Sequence, residues 1–163
     1  MNRVEAIKEI VARHPDAAIV FSNGLTSREA SFAAARPGNF YLLHGMGEAL
    51  SVGIGLKLAR PGLQVVVVDG DGNAAMGLAA SALLPIEGLH YYILDNKVYE
   101  TTGSQPVSRF NFRREVLHII EIAPGAIGAP VPPPPVNIKE KFLQWLNNFT
   151  KLSKLRKDTI DPP

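Results

Sequence analysis

The sequence has no cysteine, which excludes disulfides, thiolate metal sites, iron–sulfur clusters and a cysteine nucleophile. It lacks any run of about eighteen uncharged apolar residues. The longest candidate, Ala74 to Ile86, is broken by Gly77 and Pro85, so no membrane span is expected. Residues Met1 to Pro15 mix acids and bases without an apolar core, so a secretory signal is not expected and a cytoplasmic location is the default. Aromatics are few, at 7%, and neither charge sign dominates, with 17 Lys+Arg against 15 Asp+Glu. Six of those bases and three of the acids lie in residues 139–163. The basic tail over 150–163 has no interleaved aromatics, so nucleic-acid binding is not expected. With 46% apolar and 20% charged residues, a chain of 163 suffices for one domain with a sizeable core.

Hydrophobic patterning fills in the frame. Val4, Ile7, Ile10 and Val11 mark one face of a helix over residues 3–13 that Pro15 stops. A strand from Ala17 to Phe21 breaks at Ser22-Asn23-Gly24, and Ser27 caps a helix through about Ala35 with Glu29 early in its first turn. Phe40–Leu43, Gln64–Val68 and Leu89–Leu94 read as further strands, the last two as runs buried on both faces of a parallel sheet. Helices are expected over Glu48–Ala59 and Ala74–Leu84, a long polar loop over 95–106, and a last strand over His118–Ile122. Beyond it lie a proline-dense arm over 123–136, a helix over 137–149 opened by an Asn137/Glu140 capping box, and the tail over 150–163. Regular alternation over 1–122 predicts an α/β fold, a doubly wound, mostly parallel sheet with helices on both faces. Ligands then bind at loops leaving the strands' carboxyl ends, here 22–27, 44–47, 69–73 and 95–105.

The loop Gly70-Asp71-Gly72-Asn73-Ala74-Ala75 fits the dinucleotide pattern G-x-G-x-x-A, but its chemistry does not. Asp71 would place a carboxylate where the pyrophosphate must approach the backbone, and the two anions repel unless a cation lies between them. A carboxylate in a diphosphate loop therefore implies a metal, most simply Mg²⁺, which prefers oxygen ligands. Asn96 ends the next strand, so one crossover helix brings its amide oxygen beside Asp71.

Gly-Asp-Gly followed some two dozen residues later by Asn resembles the motif of thiamine-diphosphate enzymes. The chain is similar to the cofactor-diphosphate (PP) domain of 2-oxoacid decarboxylases, with the sulfopyruvate and phosphonopyruvate enzymes nearest. The shared segments are Arg3–Ile7, Ser22–Glu29, Asn39-Phe40-Tyr41, Gly45-Met46-Gly47, Val68–Gly72, Asp95–Gln105 and Ala123-Pro124-Gly125. The resemblance implies that Asp71, Asn96 and the Val98 carbonyl hold Mg²⁺. It implies that Gly70, Gly72 and Asn73 bind the diphosphate of thiamine diphosphate, with Asn23, Gly24 and Thr26 assisting and Tyr99 and Thr101 beside them. Met46 would be the wedge that keeps the cofactor bent, Gly45 and the backbone near His44 would contact its aminopyrimidine, and His44 could reach the substrate. His90 and His118 are expected to be structural.

The same resemblance implies a decarboxylase of the carbon–carbon lyase class acting on a small anionic 2-oxoacid. A carboligating synthase subunit and a non-catalytic or regulatory subunit are the alternatives. The activating glutamate is expected on a pyrimidine-binding (PYR) α subunit, which would make this chain the β half of a hetro-oligomer split between two chains. Three departures stand out. His44-Gly45 replaces the usual Gly-Ser, residues 126–135 carry no base, and only Arg109–Leu117 joins segments that relatives separate by a helix–strand–helix unit. Arg109, Arg113 and Arg114 are candidate contacts for the substrate's second anionic group.

Overall fold

The computed structural model describes residues 1–108 and 116–160, with side chains through Phe149. Asn2 caps the first helix, α1 (Arg3–Arg13), through a capping box: its side chain accepts from Glu5 N–H at 2.9 Å and Glu5 Oε2 accepts from Asn2 N–H at 2.8 Å. The buried stripe of α1 is Arg3, Ala6, Ile7 and Ile10, rotated from the face expected through Val4 and Val11. Strands β1 (Ala18–Phe21), β2 (Asn39–Tyr41), β3 (Val65–Gly70), β4 (Leu89–Asp95) and β7 (His118–Glu121) form one sheet in the order β2-β1-β3-β4-β7, every pairing parallel. The expected doubly wound α/β sheet is the one observed.

Alternation across that sheet divides the core in two. Val65, Val67, Ala18, Val20 and Ile93 face helix α3 (Ala49–Ala59) and the C-terminal helix α5 (Pro135–Ile160). Val66, Val68, Ile19, Phe21 and Leu94 face α1 and helix α2 (Leu25–Ala33). Val65 to Val68 are all fully buried, which explains why β3 reads as an unbroken β-branched run. Helix α3 closes on β3 because Gly53 has no side chain; a Cβ there would lie 2.2 Å from Val67 Cγ2.

Several boundaries differ from expectation. Helix α2 starts at Leu25 behind Gly24 (φ +82°), not at a Ser27 cap. Ser27 lies inside the helix, with its hydroxyl donating to the Phe21 carbonyl at 3.1 Å. The helix expected over Ala74–Leu84 begins earlier, as α4 (Asp71–Met76), then changes to a 3₁₀ segment, Leu78–Leu83. Gly77 at that break touches backbone: a Cβ there would meet Gly47 O at 2.1 Å. The polar loop after β4 holds a small antiparallel hairpin, β5 (Val98–Tyr99) with β6 (Gln105–Pro106). Helix α5 opens at Pro135 rather than through Asn137, since proline fits a helix's first turn where no N–H is needed, and it runs to Ile160. The short joint before His118 still delivers β7 directly beside β4, Tyr92 opposite His118.

Candidate functional site

Loops leaving β1, β3 and β4 line a cleft of about 120 Å³, together with Met46 and the side chain of Arg3. Its walls include Asn23, Gly24 and Thr26 on one side, Gly70 to Asn73 beneath, and Asn96, Val98, Tyr99 and Thr101 on the other. Gly72 is required there, because a Cβ would stand 2.4 Å from Tyr99 Cε1.

Asp69, one residue before the end of β3, is buried and organises the floor. Its Oδ1 accepts from Asn73 Nδ2 at 2.6 Å and its Oδ2 from the Tyr91 hydroxyl at 3.0 Å. Asn73 Oδ1 in turn accepts from Gly47 N–H at 2.7 Å, which fastens the Met46 loop to the Gly-Asp-Gly turn. Burial pushes the Asp69 carboxyl up to about 6 despite these donors.

Asp71 is buried as well, and its Oδ2 accepts from Lys97 N–H at 2.9 Å. Lys97 reaches this position in the left-handed region, φ +67°, where its N–H also meets Asp95 Oδ1 at 3.2 Å. Burial first, and then the neighbouring Asp95 carboxylate, push Asp71 up to about 6. Among the described residues, no ion pair involves Asp71. A buried carboxyl beside another, with an amide oxygen and a backbone carbonyl nearby and no base to neutralise it, is an oxygen donor set suited to a hard divalent cation. Asn23 Oδ1, in the opposite wall, is buried without a hydrogen-bond partner. These oxygen acceptors fit Mg²⁺, and a diphosphate would be held there only through such a cation.

Asn96 is held at both ends of its amide. Its Oδ1 accepts from Val98 N–H at 3.1 Å and its Nδ2 donates to Glu100 Oε2 at 2.6 Å. Glu100 also accepts from Arg3 Nη2 and from Gly125 N–H. Arg3 Nη1 donates to Gly125 O at 3.0 Å and Glu29 Oε1 at 3.3 Å, and Glu29 Oε1 accepts from Ile127 N–H at 3.2 Å. One nearly buried ionic network thus joins α1, α2, the β5–β6 loop and the proline-dense arm to Asn96.

Of the residues singled out in the sequence, Asn23, Gly24, Thr26, Met46, Gly70, Asp71, Gly72, Asn73, Asn96, Val98, Tyr99 and Thr101 all line the cleft. His44 and Gly45 do not, and His44 is exposed. Arg109, Arg113 and Arg114 lie outside the described residues. His90 packs with His14 and His118, ring centroids 5.0 and 6.0 Å apart, far from any role in the cleft wall. Sequence reasoning missed Arg3, Glu29, Asp69 and Glu100. The signal for Arg3 was available, since it falls on the i, i+3, i+4, i+7 stripe with Ala6, Ile7 and Ile10, where a lone base needs a buried acid. Glu29 was expected to complement a helix start; it lies mid-helix and pairs with Arg3.

Comparison with known proteins places these features in a family. Residues 22–126 match the family described as thiamine pyrophosphate enzyme, C-terminal TPP binding domain. The chain is 40% identical over 108 residues to sulfopyruvate decarboxylase subunit beta of Methanothermobacter thermautotrophicus, covering 64% of this chain and 58% of that one. It is 43% identical over 108 residues to phosphonopyruvate decarboxylase of Streptomyces hygroscopicus, covering 64% of this chain and 27% of that one. A solved 2-oxoglutarate:ferredoxin oxidoreductase from Magnetococcus marinus superposes with a TM-score of 0.53 at 26% identity, over 64% of this chain and 38% of its own. The chain spans little more than half of the beta subunit's length and less than a third of the phosphonopyruvate enzyme's. Among the described residues no helix is long and apolar enough to cross a membrane. With its matched segment carrying the Asp71–Asn96 cleft, the chain belongs to the thiamine pyrophosphate enzyme family, as a C-terminal TPP-binding domain.

Proposed function

We propose that this chain is the cofactor-diphosphate half of a Mg²⁺- and thiamine-diphosphate-dependent decarboxylase for a small anionic 2-oxoacid, sulfopyruvate or phosphonopyruvate. The observation that carries the reading is the convergence of Asp71, Asn96 and Val98 on one cleft with Asn23, Gly24, Thr26 and Met46. Asp71 and Asn96 would ligate the cation with the Val98 carbonyl, and Gly72, Asn73 and the Asn23–Thr26 loop would hold the diphosphate. When bound, thiamine diphosphate supplies a thiazolium ring that takes up the electron pair left by departing CO₂. This chain's residues bind, orient and exclude water: Met46, Met76 and Leu94 give the cleft its apolar lining.

Two features support a second domain over this cleft. Met46 is 66% exposed, an unusual setting for an apolar side chain that is to brace a ring. Glu100, the glutamate in the cleft wall, is already committed to Arg3, Asn96 and Gly125, so the activating glutamate comes from elsewhere. We assign it to a PYR-type partner subunit, with Arg109, Arg113 and Arg114 as contacts for the substrate's sulfonate or phosphonate. The test is decarboxylation by the chain alone and by the chain mixed with a PYR-domain protein encoded beside it, on sulfopyruvate, phosphonopyruvate and pyruvate. Turnover only in the mixture, with pyruvate poorest, is expected. Full activity from the chain alone, or pyruvate turned over equally well, contradicts the reading.

A further inference from the structure

A cavity larger than the cofactor cleft lies elsewhere in the fold. A groove of about 520 Å³ lies at the other end of α2, between the α2–β2 joint and α5. That volume is in the range of small-molecule sites and several times that of the cleft. Its lining joins an aromatic and aliphatic surface, from Trp145, Tyr41 and Ile138, to two bases, Arg36 and Lys141, and contains no acid. The guanidinium and indole lie side by side because residue 38 is glycine: a Cβ there would meet Arg36 Nη1 at 2.9 Å and Trp145 Cε2 at 3.0 Å.

The polar atoms of this wall are incompletely used. Arg36 Nη1 donates to the Pro15 carbonyl at 2.9 Å and Nη2 to the Ala17 carbonyl, but Nε is buried with no partner. Asn39 Nδ2 donates to Ala34 O at 2.9 Å and the Tyr41 hydroxyl at 3.1 Å, while its Oδ1 is buried and unpartnered. A positively charged concavity with an aromatic face and no acid in its lining complements an anion carried on a flat apolar body.

We propose that this groove is a second ligand site, separate from the cofactor cleft, for a small organic anion with a planar apolar body, such as an aromatic carboxylate. The anion sits toward Arg36 and Lys141 and the ring against Trp145.

Trp145 is the only tryptophan, so its indole N–H cross-peak in a ¹H–¹⁵N spectrum reports on the groove directly. The full chain is titrated with 2-naphthoate and with its neutral counterpart 2-naphthamide. A saturable shift of the indole peak by the carboxylate, at least about tenfold weaker for the amide, is expected. Lys141→Glu, at an exposed position, should weaken the carboxylate by about tenfold and leave the amide unchanged, with the other cross-peaks preserved. No saturable shift, equal affinity for the two probes, or undiminished carboxylate binding by Lys141→Glu overturns the proposal. So does an indole shift that follows protein concentration without a probe, which assigns the groove to a second copy of the chain.

Discussion

Replacing Glu100 with glutamine tests whether the ionic network sets up the Asn96 end of the cleft. Glu100 Oε2 accepts from both Arg3 and Asn96, and Oε1 accepts from Gly125 N–H. Glutamine offers one oxygen and one NH₂. Turned one way, the NH₂ faces the Gly125 donor; turned the other, it faces Arg3 and Asn96. Either orientation leaves at least one donor unpaired, and Arg3, itself only 5% exposed, keeps a single carboxylate, Glu29. The favoured turn keeps the oxygen on Arg3 and Asn96 and leaves only the solvent-exposed Gly125 N–H unpaired. The cost is then that of weakened charge-assisted hydrogen bonds, roughly 1.5–3 kcal/mol, short of the larger penalty for stranding a wholly unpaired charge. The urea midpoint of Glu100→Gln should fall accordingly at an unchanged slope, and Mg²⁺-dependent cofactor affinity should fall with it, by about tenfold, because a neutral amide oxygen shared with Arg3 holds Asn96 less firmly than the carboxylate does. Arg3→Met in the Glu100→Gln background should cost less than Arg3→Met alone, since the two share one network. Wild-type stability and wild-type cofactor affinity in Glu100→Gln would refute the reasoning.

Asn96→Ala should weaken Mg²⁺-dependent binding of thiamine diphosphate less than Asp71→Ala, because water can replace a neutral ligand but not the carboxylate's charge; calorimetric titration of both variants decides. Gly53→Ala should lower stability by about 1–3 kcal/mol in thermal unfolding, since its Cβ would press on Val67 of a filled core. Burial, and then the ring of His90, hold His14 below its ordinary value of 6.5. The unfolded chain therefore binds more protons as pH drops through 6.5, so this contribution to stability is present above 6.5 and lost below it. His14→Gln should show a smaller fall in urea midpoint between pH 7.5 and 5.5 than the unaltered chain; an equal fall contradicts the assignment.

The sheet was legible because its central strands β1, β3 and β4 are buried on both faces, and Val65–Val68 leave periodicity nothing else to indicate. That Asp71 and Asn96 share one cleft was legible because a carboxylate in a G-x-G loop is chemically odd without a cation beside it. The network of Arg3, Glu29 and Glu100 was not found, because its members lie far apart in sequence and meet only when α1 packs against α2 beside the β5–β6 loop; Arg3 alone carried a signal, its place on the buried stripe of α1. Asp69 reads as the end of a strand until Tyr91, 22 residues away, is seen to donate to it. The early start of α4 was hidden by Gly70-Asp71-Gly72, which reads as a turn; the break at Gly77 depends on a contact with Gly47 that no local pattern encodes. Helix α2 escaped its true start for a similar reason, since Gly24 supplies a left-handed bend where a Ser27 cap was the simpler expectation.

The central claim, that the cleft binds thiamine diphosphate through a cation held by Asp71, is tested most directly by one calorimetric experiment. The chain and its Asp71→Ala variant are titrated with thiamine diphosphate, each with Mg²⁺ and with chelator. Binding that requires Mg²⁺ in the unaltered chain and is absent in Asp71→Ala under both conditions is the predicted result. Tight binding in chelator, or by the Asp71→Ala variant, would contradict it.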